Sequence, residues 1–201
     1  MKSVLISIKP KWVEKIASGE KTIEVRKTRP KIETPFKCYI YATKPKKYYK
    51  VSRFMATSDE NLYLVNGKIK MDNGFAYWGD GVDCEYLNRK VIGEFVCNHI
   101  LHSNENAFIG EKPLTQFVLK QSCLTMEELN DYRSNKNIYA WEIRNLKIYD
   151  KPKELSEFKH WVNNKDYDGW NEQRTKIIKG FVLRPLTRPP QSWCYVEDIG
   201  D

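Results

Sequence analysis

The sequence predicts an α+β fold in which short strands outnumber helices, and three observations carry that prediction. Apolar and polar residues alternate with period two in Val4–Lys9, Phe36–Thr43 and Val91–His99, as in strands whose successive side chains face opposite ways. Asn66-Gly67 lies between two β-rich runs within Asn61–Met71, the strongest short-range signal for a hairpin. Helical spacing is confined to short stretches, chiefly Pro10–Ser18 and Leu124–Tyr132.

Val4, Ile6 and Ile8 give the first strand one apolar face, and Ser7 and Lys9 point to the other side. Pro10 suits the first turn of a helix, where an N–H is unpaired anyway. Trp12, Val13, Ile16 and Ala17 then form one stripe, and Trp12 reads as core rather than as a ligand platform. Gly19 tolerates the left-handed conformation that ends many helices, so it is the expected stop. Thr22, Glu24 and Arg26 alternate with Ile23 and Val25, placing Glu24 and Arg26 about 6.5–7 Å apart on one face of a strand. Lys21 has the parity of Ile23 and joins them only if the turn at Gly19 delivers it.

Residues 27–35 form a basic, proline-punctuated loop that either closes over a ligand or merely connects strands. In Phe36–Thr43, Tyr39, Tyr41 and Thr43 share the face opposite Cys38 and Ile40. Lysines and tyrosines interleave over Lys44–Lys50, a composition that suits single-stranded nucleic acid because rings stack on bases while ammonium groups hold phosphates. Asp72, Asp80 and Asp83 occupy a turn-rich segment without the spacing of a calcium loop. Glu94, among apolar neighbours, is either a buried partner for Lys21 or an exposed strand position. His99 and His102 fall on opposite strand faces with no third ligand at matching spacing, so no metal is expected. Thr125 and Glu128 are spaced as a capping box. Asn137–Tyr149 is expected as the last clear strand, Lys153–Val162 as a helix-like segment, and the Pro- and Trp-rich end as a tail docked on the domain.

At 201 residues and 41% hydrophobic, the chain is long and apolar enough for a real core. It has no apolar run of membrane-spanning length and begins without a signal-peptide pattern, so cytoplasm is the expected compartment and no membrane partner is expected. Its five cysteines show no C-x-x-C spacing, which favours free thiols over disulfides or zinc, and no cofactor is expected. The net charge of +8 is uneven, with fifteen Lys/Arg against four Glu in residues 1–53. Such asymmetry suggests a polyanionic partner.

Gly19, Lys21, Glu24 and Arg26 together spell G-x-K-x-x-E-x-R, in register with the preceding strand and helix. That stretch resembles the signature of the ASCH family (activating signal cointegrator homology). Val4–Pro10, Tyr39–Thr43, Val91–Phe95 and Ile138–Ile143 look like strands of the same family, and the ending Pro189–Val196 resembles that of members found in bacteria and their phages. The resemblance implies a PUA-like mixed β-barrel with flanking helices, a hairpin insertion at 51–89 and a docked C-terminal tail. Residues 1–150 would form the domain, and 151–201 an extension packed on it.

Three functions follow as expectations. The resemblance implies binding of single-stranded RNA or a nucleotide in a basic cleft between the first helix and the barrel, through Ser7, Lys9, Lys21, Glu24, Arg26, Arg29, Tyr41, Thr43 and Lys44. One subgroup of the family consists of amidohydrolases that deacetylate N4-acetylcytidine with a lysine, a threonine and a glutamate, and other members are ribonucleases. Lys21 matches that lysine, Glu24 replaces the threonine with Thr22 nearby, and Ser122 falls where the glutamate is expected, so Lys21 and Glu24 would carry any hydrolase or nuclease chemistry. The third function is a protein-interaction module using the insertion and tail to grip a protein partner.

Overall fold

Strand β1 (Lys2–Ile8) is buried on both faces, because Val4, Ile6 and Ile8 enter one core and Leu5 another. This is seen in the computed structural model of the chain, which describes residues 2–44, 49–52, 55–57, 61–72, 84–102, 113–134, 136–163 and 181–200. The other strands in chain order are β2 (Ile23–Arg26), β3 (Phe36–Ala42), β4 (Tyr49–Ser52), β5 (Met55–Thr57), β6 (Asn61–Val65), β7 (Lys68–Asp72) and β8 (Cys84–Tyr86). They continue with β9 (Lys90–Cys97), β10 (Ile100–His102), β11 (Tyr139–Glu142), β12 (Arg144–Glu154), β13 (Lys159–Asn163), β14 (Phe181–Pro185) and β15 (Trp193–Glu197). The helices are α1 (Pro10–Ala17), α2 (Pro113–Ser122) and α3 (Met126–Arg133).

The main sheet has the order β12-β9-β3-β1-β15, with β1 parallel to β3 and its other pairs antiparallel. A second sheet, β10-β11-β2, is wholly antiparallel. Its face packs on α2 and α3 through Ile23, Val25, Val118, Leu129, Ile138 and Ala140. One face of the main sheet, with α1, forms the largest core around Ile6, Ile40, Phe95 and Trp141. The opposite face buries Leu5, Tyr39 and Phe158. At about 1.5–3 kcal/mol for each fully buried large apolar side chain, these clusters supply the main force that holds the sheets in place.

The α+β class stands as the sequence predicts. The Asn-Gly hairpin is present as β6 and β7, with φ of 48° at Asn66 and 74° at Gly67, the doubly positive turn that follows the strand twist. Three elements differ from expectation. The run Asn137–Tyr149 divides at Ile143 into β11 and β12, which lie in different sheets, and the Ile143 N–H is drawn to Thr22 O at 2.9 Å. Lys153–Val162 is the end of β12, a 3-10 turn and β13 rather than a helix, because β13 pairs with β14 some twenty residues downstream. Helix α2 escapes the periodicity reading, since Leu114 and Phe117 are exposed and blur its apolar stripe. Residues 45–48 of the lysine–tyrosine run and 73–83 of the turn-rich segment lie outside the described residues.

The C-terminal segment docks as expected, and it does so as a strand: β15 pairs antiparallel with β1 from Lys2↔Glu197 to Ile6↔Trp193. It brings Gln191 and Ser192 to the end of β1, beside the charged strand β2.

Candidate nucleic-acid interface

Helix α1 ends at Ala17 with Ser18 as its C-cap, and Gly19 takes φ of +80°. The chain then folds back so that the Lys21 N–H donates to Lys15 O at 2.9 Å. Lys21 therefore lies in a turn before β2 begins, where strand parity does not apply, and its side chain reaches the same side as Glu24. Lys21 Nζ lies 3.3 Å from Glu24 Oε2, and Arg26 Nη2 lies 2.9 Å from Glu24 Oε1. Both carboxylate oxygens thus have a cationic partner, and all three residues are buried, at 2%, 6% and 8% exposure.

Lys21 also donates to Ile23 O at 2.8 Å and Ser122 O at 2.9 Å. An ammonium has three N–H groups, so with Glu24 its donors are fully engaged. Burial pushes this ammonium below its usual range, and the Glu24 carboxylate opposes the shift. Arg26 donates from Nη2 to Ser7 O at 2.7 Å and from Nη1 to Ser192 Oγ at 3.4 Å, which ties β2 to β1 and to the tail. Its buried Nε–H has no acceptor among the described residues.

The trio forms part of the wall of a cavity of about 660 Å³. Ser7, Lys9 and Trp12 line it from β1 and α1, Thr43 and Lys44 from the end of β3, and Gln191 and Ser192 from the tail. Leu124, Glu128, Asp131 and Tyr132 close the side formed by α3. That helix is held by the capping box the sequence predicts: Glu128 N–H donates to Thr125 Oγ1 and Thr125 N–H to Glu128 Oε2. Lys11 donates to Glu128 Oε1 at 3.0 Å, linking α3 to α1. Those hydrogen bonds, the one from the Thr125 N–H first, hold the Glu128 carboxyl below its usual range.

Seven of the residues expected to contact nucleic acid meet here: Ser7, Lys9, Lys21, Glu24, Arg26, Thr43 and Lys44. Tyr41 does not, because its ring packs in the core with Leu5, Val91 and Phe158. Arg29 lies in a neighbouring hollow. Thr22 is turned to Gln121, to which its hydroxyl donates. Glu94 is buried, yet away from Lys21: it accepts from Tyr149 Oη at 2.6 Å and lies 3.7 Å from Lys37 Nζ. His102 stacks on Tyr139 with ring centroids 4.7 Å apart, and no metal-holding cluster occurs among the described residues. Sequence reasoning missed the α3 wall and the tail residues, which reach the cavity from more than a hundred residues away. Trp12, expected in the core, does pack against it while partly buried, and it also lines the cavity, with Lys11 and Lys21 Nζ at 4.4 and 5.1 Å from its ring centroid.

Fold and site together define an α+β domain with a partly aromatic, charged cavity at a helix-to-strand junction. No family model and no curated protein matches the chain. Among solved structures, ASCH from Zymomonas mobilis matches with a TM-score of 0.47 at 19% identity, over 76% of this chain and 73% of that one. A tyrosine-to-phenylalanine variant of that protein gives 0.48 at 18% identity, over 77% of each chain. A serine-to-alanine variant gives 0.53 at 16% identity, over 97% of this chain and 88% of that one. The chain has the ASCH-type fold. No helix is long and apolar enough to cross a membrane among the described residues.

Proposed function

We propose that the cavity binds a nucleotide, presented free or within single-stranded RNA, by gripping its base and sugar. The observation that carries this reading is the buried Lys21–Glu24–Arg26 chain in the wall of a cavity of about 660 Å³. Among the described residues, four cations line that cavity (Lys9, Lys21, Arg26, Lys44) against three carboxylates (Glu24, Glu128, Asp131). A bare phosphate prefers cations alone, whereas a base edge carries donors and acceptors side by side and needs both kinds of partner. Glu24 supplies fixed acceptors, Arg26 fixed donors, and Trp12 and Tyr132 apolar ring surface.

Catalysis through Lys21 has less support. Its lowered proton affinity favours a nucleophile, but a nucleophile needs a free lone pair, and the ammonium here donates to three acceptors. The nearby hydroxyls are engaged as well, Thr22 with Gln121 and Ser122 with Leu119 O.

The side chains of Lys9 and Lys44 are exposed and make no hydrogen bond or ion pair among the described residues, and the Lys9 carbonyl that starts α1 survives substitution, so both side chains can be removed without disturbing the wall. Fluorescence anisotropy with labelled single-stranded RNA is expected to show saturable binding that weakens about tenfold in the Lys9→Ala/Lys44→Ala variant and fades with salt. No saturable binding of RNA or of any mononucleotide would sink the proposal. Acetate release from N4-acetylcytidine, lost in Lys21→Ala, would replace it with the amidohydrolase reading.

A further inference from the structure

Next to the nucleotide cavity lies a second hollow of about 910 Å³, lined by the loop 27–34 together with His99, Ile100 and Tyr139. Its charge is of a different kind. Among the described residues, Lys27, Arg29 and Lys31 line it with one carboxylate, Glu33, so three cations meet one anion where the first cavity is nearly balanced. The loop is fastened in place, too: Trp193 Nε1 donates to Thr28 Oγ1 at 3.0 Å, and the Lys31 N–H donates to Tyr195 Oη at 2.6 Å. Buried Pro30 anchors its middle. The shape of the hollow therefore does not depend on a guest.

The two hollows share a wall. Arg26 lines the first and Lys27 the second, so one peptide bond separates them, and Lys27 Nζ lies 5.1 Å from the centroid of Tyr132, a ring of the first cavity. From this we infer that the second hollow receives the phosphodiester backbone of the nucleotides adjoining the one bound in the cavity. The ligand is then a segment of single-stranded RNA several nucleotides long rather than a free nucleotide. This extension rests on the first cavity being a nucleotide site. The chemistry divides accordingly: the mixed donors and acceptors of the first cavity suit a base edge, and the one-signed second hollow suits a chain of phosphates whose counterions it displaces. Tyr139, half-buried and stacked on His102, offers a ring beside those cations.

The test compares a mononucleotide with a labelled tetranucleotide of the same base, each titrated over a series of salt concentrations. The proteins are the intact chain and its Arg29→Ala/Lys31→Ala variant, whose changed side chains are exposed and leave the Lys31 N–H to Tyr195 untouched. The intact protein is expected to prefer the tetranucleotide. In the variant that affinity should fall about tenfold, and the slope of log K against log salt should lessen by about 1.4, two single-strand phosphate contacts at about 0.7 each. Mononucleotide affinity should stay unchanged. Equal affinity of the intact protein for both ligands, or an unchanged salt slope in the variant, overturns the extension and leaves the nucleotide cavity standing. If neither ligand binds, both fall.

Discussion

Glu24 is the residue on which the site turns. Its two oxygens hold Lys21 and Arg26, two buried cations that would otherwise face each other across a few ångströms in a poorly screened environment. A buried ion network of this kind adds little net stability compared with an apolar core, but removing one member leaves the others uncompensated. Glu24→Ala is therefore expected to cost about 3–5 kcal/mol, read as a shift of the urea midpoint at constant slope. A cost below about 1 kcal/mol, the size of a surface pair, would mean that water reaches the trio and that the carboxylate does not hold the two cations. The alternation of Glu24 and Arg26 was legible from period-two spacing alone. Lys21 was not, because its position depends on the turn that Gly19 and the Lys21-to-Lys15 hydrogen bond create.

Helix α3 shows how one element couples stability to the site. Eight residues form a helix too short to persist alone, so its caps and its packing through Leu129 decide whether it stands. Thr125 and Glu128 satisfy each other's backbone N–H groups, and the same helix presents Glu128, Asp131 and Tyr132 to the cavity. Thr125→Ala is expected to cost about 1 kcal/mol and to raise hydrogen exchange at the Glu128 amide. The contribution of Glu128 depends on pH. Its folded carboxyl is held below the usual range, so its stabilisation is full above the unfolded pKa and is lost as pH falls through the folded one. Amide protection at Thr125 should therefore decline on acidification in the wild type but stay flat in Glu128→Gln. The capping spacing could be read from three residues of sequence. That the helix faces Trp12 and Lys21 could not, since the intervening hundred residues set its approach.

At the scale of the whole molecule, the first and last segments of the chain complete each other. Local spacing revealed β1, α1, β2, β3, β9 and the β6–β7 hairpin, whose patterns are written in adjacent residues. It could not reveal which distant segment covers the edge of β1, or that Arg26 and the loop 27–34 would be held by the tail, because those contacts join residues some 160 positions apart. Trp193 concentrates this dependence. Its ring lies 6.0 Å from that of Trp141 in the main core and 5.4 Å from that of Tyr195, and its indole N–H holds Thr28. Trp193→Ala should thus cost about 3 kcal/mol from lost packing, the low end for a large ring because this one is only partly buried. Trp193→Phe keeps most of the ring but loses the hydrogen bond to the loop, and it separates the two roles. Its urea midpoint should move little. Its preference for a tetranucleotide over a mononucleotide should shrink, because the loop cations lose one of their two hydrogen bonds to the tail and are held less firmly where the phosphates pass. A Trp193→Phe protein that retains the full preference would show that the loop keeps its place without the Trp193 hydrogen bond, on the Tyr195 contact and buried Pro30 alone.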